Sequence, residues 1–217
     1  MWTALTLIVA AYVLGAIPSA YLMARFKYGI DIRQFGSGNV GASNLIPHTG
    51  RIVAILLGMF DCFGKGMLLI LLARILGQEP WVQAAMGLTV VFAHNWSPYI
   101  RFTGGRGAAA TIGVLFGYLM IPELAILTVF MLLGSPVLKF RGLVGRVIFN
   151  EAGFWTFIAL LSFPALAFVF NRPTEIIYAC IGISLLLLGK RLTANWESPQ
   201  SKYPLHVVFF CRIMLDR

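Results

Sequence analysis

A chain of 217 residues that is 59% hydrophobic and only 12% charged, with a mean hydropathy of +0.84, cannot cover an ordinary soluble domain with a polar surface, so it reads as a polytopic membrane protein. Its formal charge of +9, from 17 Lys+Arg against 8 Asp+Glu, is explained by basic loops retained on the cytoplasmic side, and nucleic-acid binding is set aside. Cys62, Cys180 and Cys211 are odd in number and scattered in or near apolar runs, which suits packing residues and not a disulfide framework or a metal cluster.

The apolar segment from Trp2 to Met23 is long enough to cross a hydrocarbon core of about 30 Å. No Lys or Arg precedes it, so it is expected to be a retained span and not a cleaved signal. Arg25, Lys27, Arg33 and Arg51 make the next loop basic, which places that loop in the cytoplasm and the N-terminus outside. Ile52 to Leu76 returns across the membrane, carrying Asp61 and Lys65 four residues apart among Gly58, Gly64 and Gly66. An ionisable pair at that depth is either functional or a self-neutralising packing device. A third span runs from Trp81 to about Ala93 and leads into the basic stretch His94 to Gly107. Ala108 to Met120 and Leu124 to Leu138 read as two short spans around Ile121-Pro122-Glu123, or as one kinked helix. The basic residues Lys139, Arg141 and Arg146 favour two. Phe154 to Phe170 and Ile176 to Gly189 complete the set around an outer turn at Asn171 to Glu175, ending at Lys190 and Arg191. The expected fold is all-α and integral to the membrane: a compact bundle of about seven transmembrane helices, C-terminus cytoplasmic, with residues 1–217 forming one membrane-embedded domain.

Two loops on the inner side stand apart from the apolar background. Arg33 to Asn44 interleaves Gly36, Gly38 and Gly41 with Ser37, Asn39, Ser43 and Asn44, and residues 103–107 read Thr-Gly-Gly-Arg-Gly. Glycine permits positive φ and close backbone approach, and successive N–H groups form an anion-binding concavity. Such runs are also simply turns, but two on one side of a membrane, each flanked by basic residues, point to a phosphorylated ligand. Gly, Ser37, Asn39, Asn44, Lys65 and Arg106 would line a cavity open to the cytoplasm, and the bilayer would deliver a long-chain partner laterally.

At these residues the sequence resembles the bacterial acyl-phosphate-dependent glycerol-3-phosphate acyltransferases. The resemblance is carried by Gly-Ala-Ile-Pro-Ser-Ala-Tyr-Leu (15–22), by residues 31–44, by Asp-Cys-Phe-Gly-Lys-Gly (61–66) and by residues 93–111. It implies a seven-helix membrane bundle in the bacterial inner (plasma) membrane with its active site facing the cytoplasm. The implied reaction moves a fatty acyl group from acyl phosphate to the 1-hydroxyl of glycerol 3-phosphate, giving lysophosphatidic acid and phosphate for phospholipid biosynthesis. Neither metal nor coenzyme A is implied, and no obligate protein partner. By the same resemblance Ser37 and Asn39, with Gly36, Gly38 and Asn44, would bind phosphate. Gly104, Gly105 and Gly107, with Arg106 where the family usually has Lys, would cradle glycerol 3-phosphate. Lys65 and Arg191 would add positive charge, and His94, Ser37 and Asn195 would act in catalysis, His94 by accepting the hydroxyl proton or orienting a phosphate.

The chain departs from the family pattern at three places. Pro47 stands where an Arg is expected three residues after Asn44, Lys65 is four and not three residues after Asp61, and Leu192 replaces a His in Arg-Leu-Thr-Ala-Asn (191–195). The grip on phosphate would then fall to Arg51, Lys65 or Arg106. The departures keep open a non-catalytic or altered-substrate relative that binds a phosphorylated lipid or polyol, and the Asp61/Lys65 pair keeps open a small transporter.

Overall fold

The computed structural model describes residues 2–137 and 152–193. Among them there are ten α-helices and no named strand: α1 (Trp2–Gly15), α2 (Ser19–Tyr28), α3 (Ala42–Thr49), α4 (Arg51–Met59), α5 (Leu68–Ile75), α6 (Pro80–Asn95), α7 (Ala108–Gly117), α8 (Ile121–Val137), α9 (Ala152–Val169) and α10 (Thr174–Thr193). Three helical stretches, Trp2–Tyr28, Arg51–Ile75 and Thr174–Thr193, are long and apolar enough to cross a bilayer. The outward faces of these stretches carry Leu5, Ile52, Ile55, Leu56, Leu68 and Leu185, all largely exposed, where a soluble helix would carry charge. This is a multi-pass membrane protein.

Proline and glycine decide where the spans bend. Pro18 has no N–H to offer the preceding turn, and the first span breaks between α1 and α2. The carbonyls left without helical partners are taken by side chains from elsewhere: Tyr99 donates to Val13 O at 3.2 Å, Ser97 to Ala16 O at 2.6 Å, and Lys65 to Ile17 O at 2.5 Å. At membrane depth such substitutes are obligatory. The second span runs α4 and α5 together through a π-helical segment at Phe60–Met67. There Lys65 is also paired with Asp61 at 2.5 Å, both nearly inaccessible, and Ser19 donates to the same Asp61 oxygen at 2.7 Å.

Helix α6 lies between α1 and α10, α7 packs on the π segment, and α9 packs on both α8 and α10. The α7 contact is backbone on backbone. A Cβ at Gly66 would come within 2.5 Å of Ala110 O and 2.7 Å of Val114 N, and one at Gly113 would strike the Cys62 carbonyl. Small residues at such crossings let helices approach closely enough for dispersion to hold them without a hydrophobic drive.

The chain turns between α7 and α8 with Leu119 in the left-handed region at φ +59, so these are two helices and not one kinked helix. Glu123, fully buried at the start of α8, accepts from Arg172 Nε at 2.5 Å and Nη2 at 2.8 Å. This bidentate pair fastens the α7–α8 turn to the α9–α10 turn, and the neighbouring carboxylate pushes the Arg172 guanidinium pKa further up. One helix was not expected from the sequence: α3, which carries Pro47 inside it and buries Leu45.

Candidate active site

The first glycine-rich loop is held in shape by its own polar side chains. Asp31 caps a short 3₁₀ turn at Ile32–Gln34 by accepting the Arg33 N–H at 3.1 Å, and its carboxylate also accepts from the Arg33 guanidinium at 2.6 to 3.2 Å. That guanidinium holds the Asp31 carboxyl below the usual carboxylate range and lies over the Tyr21 ring, 5.1 Å from its centroid. The backbone then passes through the left-handed region at Gly36 and Gly38, φ +56 and +67. Asn44 closes the loop from within. Its side-chain oxygen accepts the Ser37 N–H at 3.2 Å, and its amide donates to the carbonyls of Ile32, Phe35 and Asn39 at 3.2, 2.9 and 3.1 Å.

The second loop is anchored on the end of α6 and on the break in the first span. Ser97 and Thr103 form an antiparallel bridge, with the Ser97 N–H donating to Thr103 O at 2.9 Å and the Phe102 N–H to Ser97 O at 2.8 Å. Arg101 and Phe102 occupy the left-handed region at φ +61 and +56, a conformation that non-glycine residues adopt at a cost and that clusters at functional sites. Gly105 donates to His94 O at 3.2 Å. A Cβ at Gly105 would overlap His94 Nε2, and one at Gly104 would overlap the His94 carbonyl. Both positions therefore require glycine for close approach. Gly107, at φ +78, then opens α7.

These loops and the C-terminal end of α10 line one cavity of about 200 Å³. Arg33, Gly38, Asn39 and Val40 form one wall, and Trp96, Phe102, Thr103 and Gly104 another. Lys190 and Thr193 come from α10. Among the described residues no carboxylate lines it, and two cations do. With amide, hydroxyl and backbone groups, that is a donor-rich, positively charged concavity suited to a phosphate ester.

Of the residues expected from sequence, Gly38, Asn39 and Gly104 face this cavity together. Gly36, Ser37 and Asn44 lie in the same loop, where Asn44 serves as its internal brace. His94 packs behind the second loop, its ring against Gly105, and Gly107 packs against Asn95 and Leu187. Arg106 is outside the cavity lining but acts on Lys190 as a nearby like charge. Arg191 is buried next to Lys190 in sequence. Lys65 is committed to Asp61 and Ile17, and Arg51 is exposed at the start of α4; neither lines the cavity. Asn195 lies outside the described residues. Sequence reasoning missed Arg33, Trp96 and Lys190 as cavity residues, since a Lys at the end of a span is what topology alone requires.

Comparison with known proteins gives the family. The family model described as glycerol-3-phosphate acyltransferase matches residues 5–197. Glycerol-3-phosphate acyltransferase 4 of Dehalococcoides mccartyi is 34% identical over 223 residues, covering 98% of this chain and 88% of that protein. The glycerol-3-phosphate acyltransferase of Trichlorobacter lovleyi is 36% identical over 203 residues, covering 88% and 94%. The crystal structure of PlsY (YgiH), an integral membrane glycerol 3-phosphate acyltransferase, in its glycerol 3-phosphate form superposes with a TM-score of 0.74 at 28% identity over 87% of this chain and 88% of that one. Its lysophosphatidic acid form gives 0.68. With the match running through both loops, the cavity between them and six of the seven apolar segments in full, this chain belongs to the glycerol-3-phosphate acyltransferase family.

Proposed function

We propose that this protein transfers a fatty acyl group from acyl phosphate to the 1-hydroxyl of glycerol 3-phosphate, releasing lysophosphatidic acid and phosphate, at a site on the cytoplasmic face of the bacterial inner membrane. The observation that carries the reading is the cavity, without a carboxylate among the described residues that line it, in which Asn39, Gly104 and Lys190 converge from three separate elements. Family membership adds the reaction class.

Acyl phosphate is already activated, so the chemistry needs placement more than a strong base. The glycerol oxygen attacks the acyl carbon, a new C–O bond forms, and the bond from the acyl carbon to the phosphate oxygen breaks. The hydroxyl proton leaves with the departing phosphate, whose second ionisation falls near neutrality. The protein holds two anions against each other and stabilises charge on the carbonyl oxygen and the leaving group with fixed N–H donors and cations. In this reading the two glycine-rich loops supply the donors, His94 braces the second loop through Gly105, and the Asp61/Lys65 pair keeps the first span's break closed. That last role gives the pair a structural account without a transport pathway.

Purified protein in detergent, given a long-chain acyl phosphate and radiolabelled glycerol 3-phosphate, is expected to form labelled lysophosphatidate and to release inorganic phosphate in equal amount. Labelled product formed from acyl-coenzyme A and not from acyl phosphate would overturn the donor assignment. No product from any donor would overturn the reading as a whole.

A further inference from the structure

Lys190 is the feature of the cavity that the family motifs do not explain. It sits at the inner end of α10, only 6% exposed, and its ammonium lies 5.4 Å from the centroid of the Trp96 ring. Among the described residues no carboxylate pairs with it, although buried lysines are almost always paired. Its like-charged neighbour Arg106 adds repulsion. A cation kept out of bulk water, without a carboxylate partner among the described residues, against an aromatic face and on a cavity wall is electrostatically incomplete until an anion arrives.

The sequence supplies a reason for an added cation. Pro47 occupies the position where the resemblance leads one to expect an Arg after the first loop, and that proline is built into α3, outside the cavity lining. Among the described residues, Arg33 and Lys190 are the two cations that line the cavity. Arg33 is already neutralised by Asp31 at 2.6 Å, which leaves Lys190 as the cation with charge to spare.

We infer that Lys190, seated on the Trp96 ring, is a substrate-binding residue of this protein and grips a terminal phosphate group from the α10 side, opposite the Asn39 loop. The inference rests on the acyltransferase reading for the identity of the ligands, glycerol 3-phosphate or acyl phosphate. The phosphate chemistry is common to both. Trp96 holds the ammonium by its ring quadrupole while the site is empty, and the phosphate then draws it inward without a carboxylate having to be displaced.

The test compares wild type with Lys190→Met and Lys190→Arg. Each is checked for folding by size exclusion and thermal denaturation in detergent, then assayed with each substrate varied in turn. Binding of inorganic phosphate and of glycerol 3-phosphate is measured calorimetrically, independently of turnover. Loss of a charge-assisted hydrogen bond should raise KM for the phosphorylated substrate that Lys190 holds by about 10- to 100-fold and weaken its direct binding by a similar factor. The change in kcat should be smaller, and Lys190→Arg should recover most of the affinity. A rise confined to glycerol 3-phosphate assigns Lys190 to the acceptor, and a rise confined to acyl phosphate assigns it to the donor. Should Lys190→Met not fold, Lys190→Gln, which keeps a donor at similar reach without charge, carries the same comparison. A folded, active Lys190→Met protein with wild-type KM for both substrates and wild-type binding would overturn the inference while leaving the acyltransferase reading intact. A wild-type protein without acyltransferase activity that still loses phosphate binding on Lys190→Met would overturn the function and retain the site.

Discussion

Replacing Gly104 by alanine would drive a methyl group into backbone and not into a side chain that can swing aside. A Cβ there lies 2.5 Å from the Asn95 carbonyl oxygen and 2.7 Å from its carbon, and also overlaps the His94 carbonyl. Real Cβ contacts essentially never fall below 3.0 Å, so the second loop or the end of α6 must give by about half an ångström or more. Overpacking of this kind costs about 1–3 kcal/mol, and a reacting group misplaced by about 1 Å can lose 100-fold in rate. Because Gly104 itself lines the cavity, the shift is felt at the proposed substrate site. Initial rates with radiolabelled glycerol 3-phosphate in acyl phosphate micelles should show kcat/KM reduced about 10- to 100-fold, equivalent to about 1.4–2.8 kcal/mol of lost transition-state stabilisation. Gly58→Ala is the control. Its Cβ would meet nothing within 4 Å, so it should keep its rate and gain as much as about 1 kcal/mol of helix stability. A folded Gly104→Ala protein with the wild-type kcat/KM would refute the reasoning.

Three further outcomes follow from the same geometry. Asn44→Ala removes the acceptor for Ser37 N–H and the donor to three loop carbonyls, so it should raise KM and cost about 2 kcal/mol of stability by thermal denaturation; Asn44→Asp, which turns that donor into a repelled acceptor, should be worse than Ala, and the reverse order would contradict the brace. Lys65→Met leaves Asp61 charged and unpaired inside the bilayer, a loss of about 3–5 kcal/mol, whereas the double substitution Asp61→Asn with Lys65→Met should recover much of it; a double variant as unstable as the sum of the singles would show the two do not act as a pair. For Asp31, whose folded pKa is depressed by Arg33, the ion pair contributes stability that is complete above the ordinary carboxylate pKa and is lost as pH falls through the lower folded value. The stability gap between wild type and Asp31→Asn should therefore close below about pH 4, and a gap unchanged at lower pH would count against the pair.

Hydropathy and charge located the helices, because a span needs only length and the absence of charge. The seven apolar segments correspond to the helical stretches ending at Tyr28, Ile75, Asn95, Gly117, Val137, Val169 and Thr193, and the positive φ at Leu119 realises the break expected near Pro122. Helix α3 was invisible for a local reason. Gly41 to Pro47 has loop composition, and what makes it helical is the burial of Leu45 with Val40 and Ile32 in a small cluster against α2, a tertiary contact that overrides propensity. The same limit applied to the site. Gly38, Asn39 and Gly104 could be picked out because glycines cluster there with polar and basic residues in an otherwise apolar chain. Lys190 could not, since only the approach of α10 to Trp96 separates it from a residue ending a span. Lys65 was legible as a buried charge, but its partners, the Ile17 carbonyl and Ser19 with Asp61, depend on the break at Pro18. Sequence spacing alone does not show which carbonyls that break leaves open.

The central claim is that the two glycine-rich loops and the C-terminal end of α10 form a single phosphate site. A structure determined with glycerol 3-phosphate bound tests it most directly. The account predicts phosphate density in the cavity between Asn39 and Gly104, within hydrogen-bond reach of loop N–H groups and with the Lys190 ammonium turned toward it. Phosphate bound instead beside Asp61 and Lys65, or on a surface away from both loops, would contradict it.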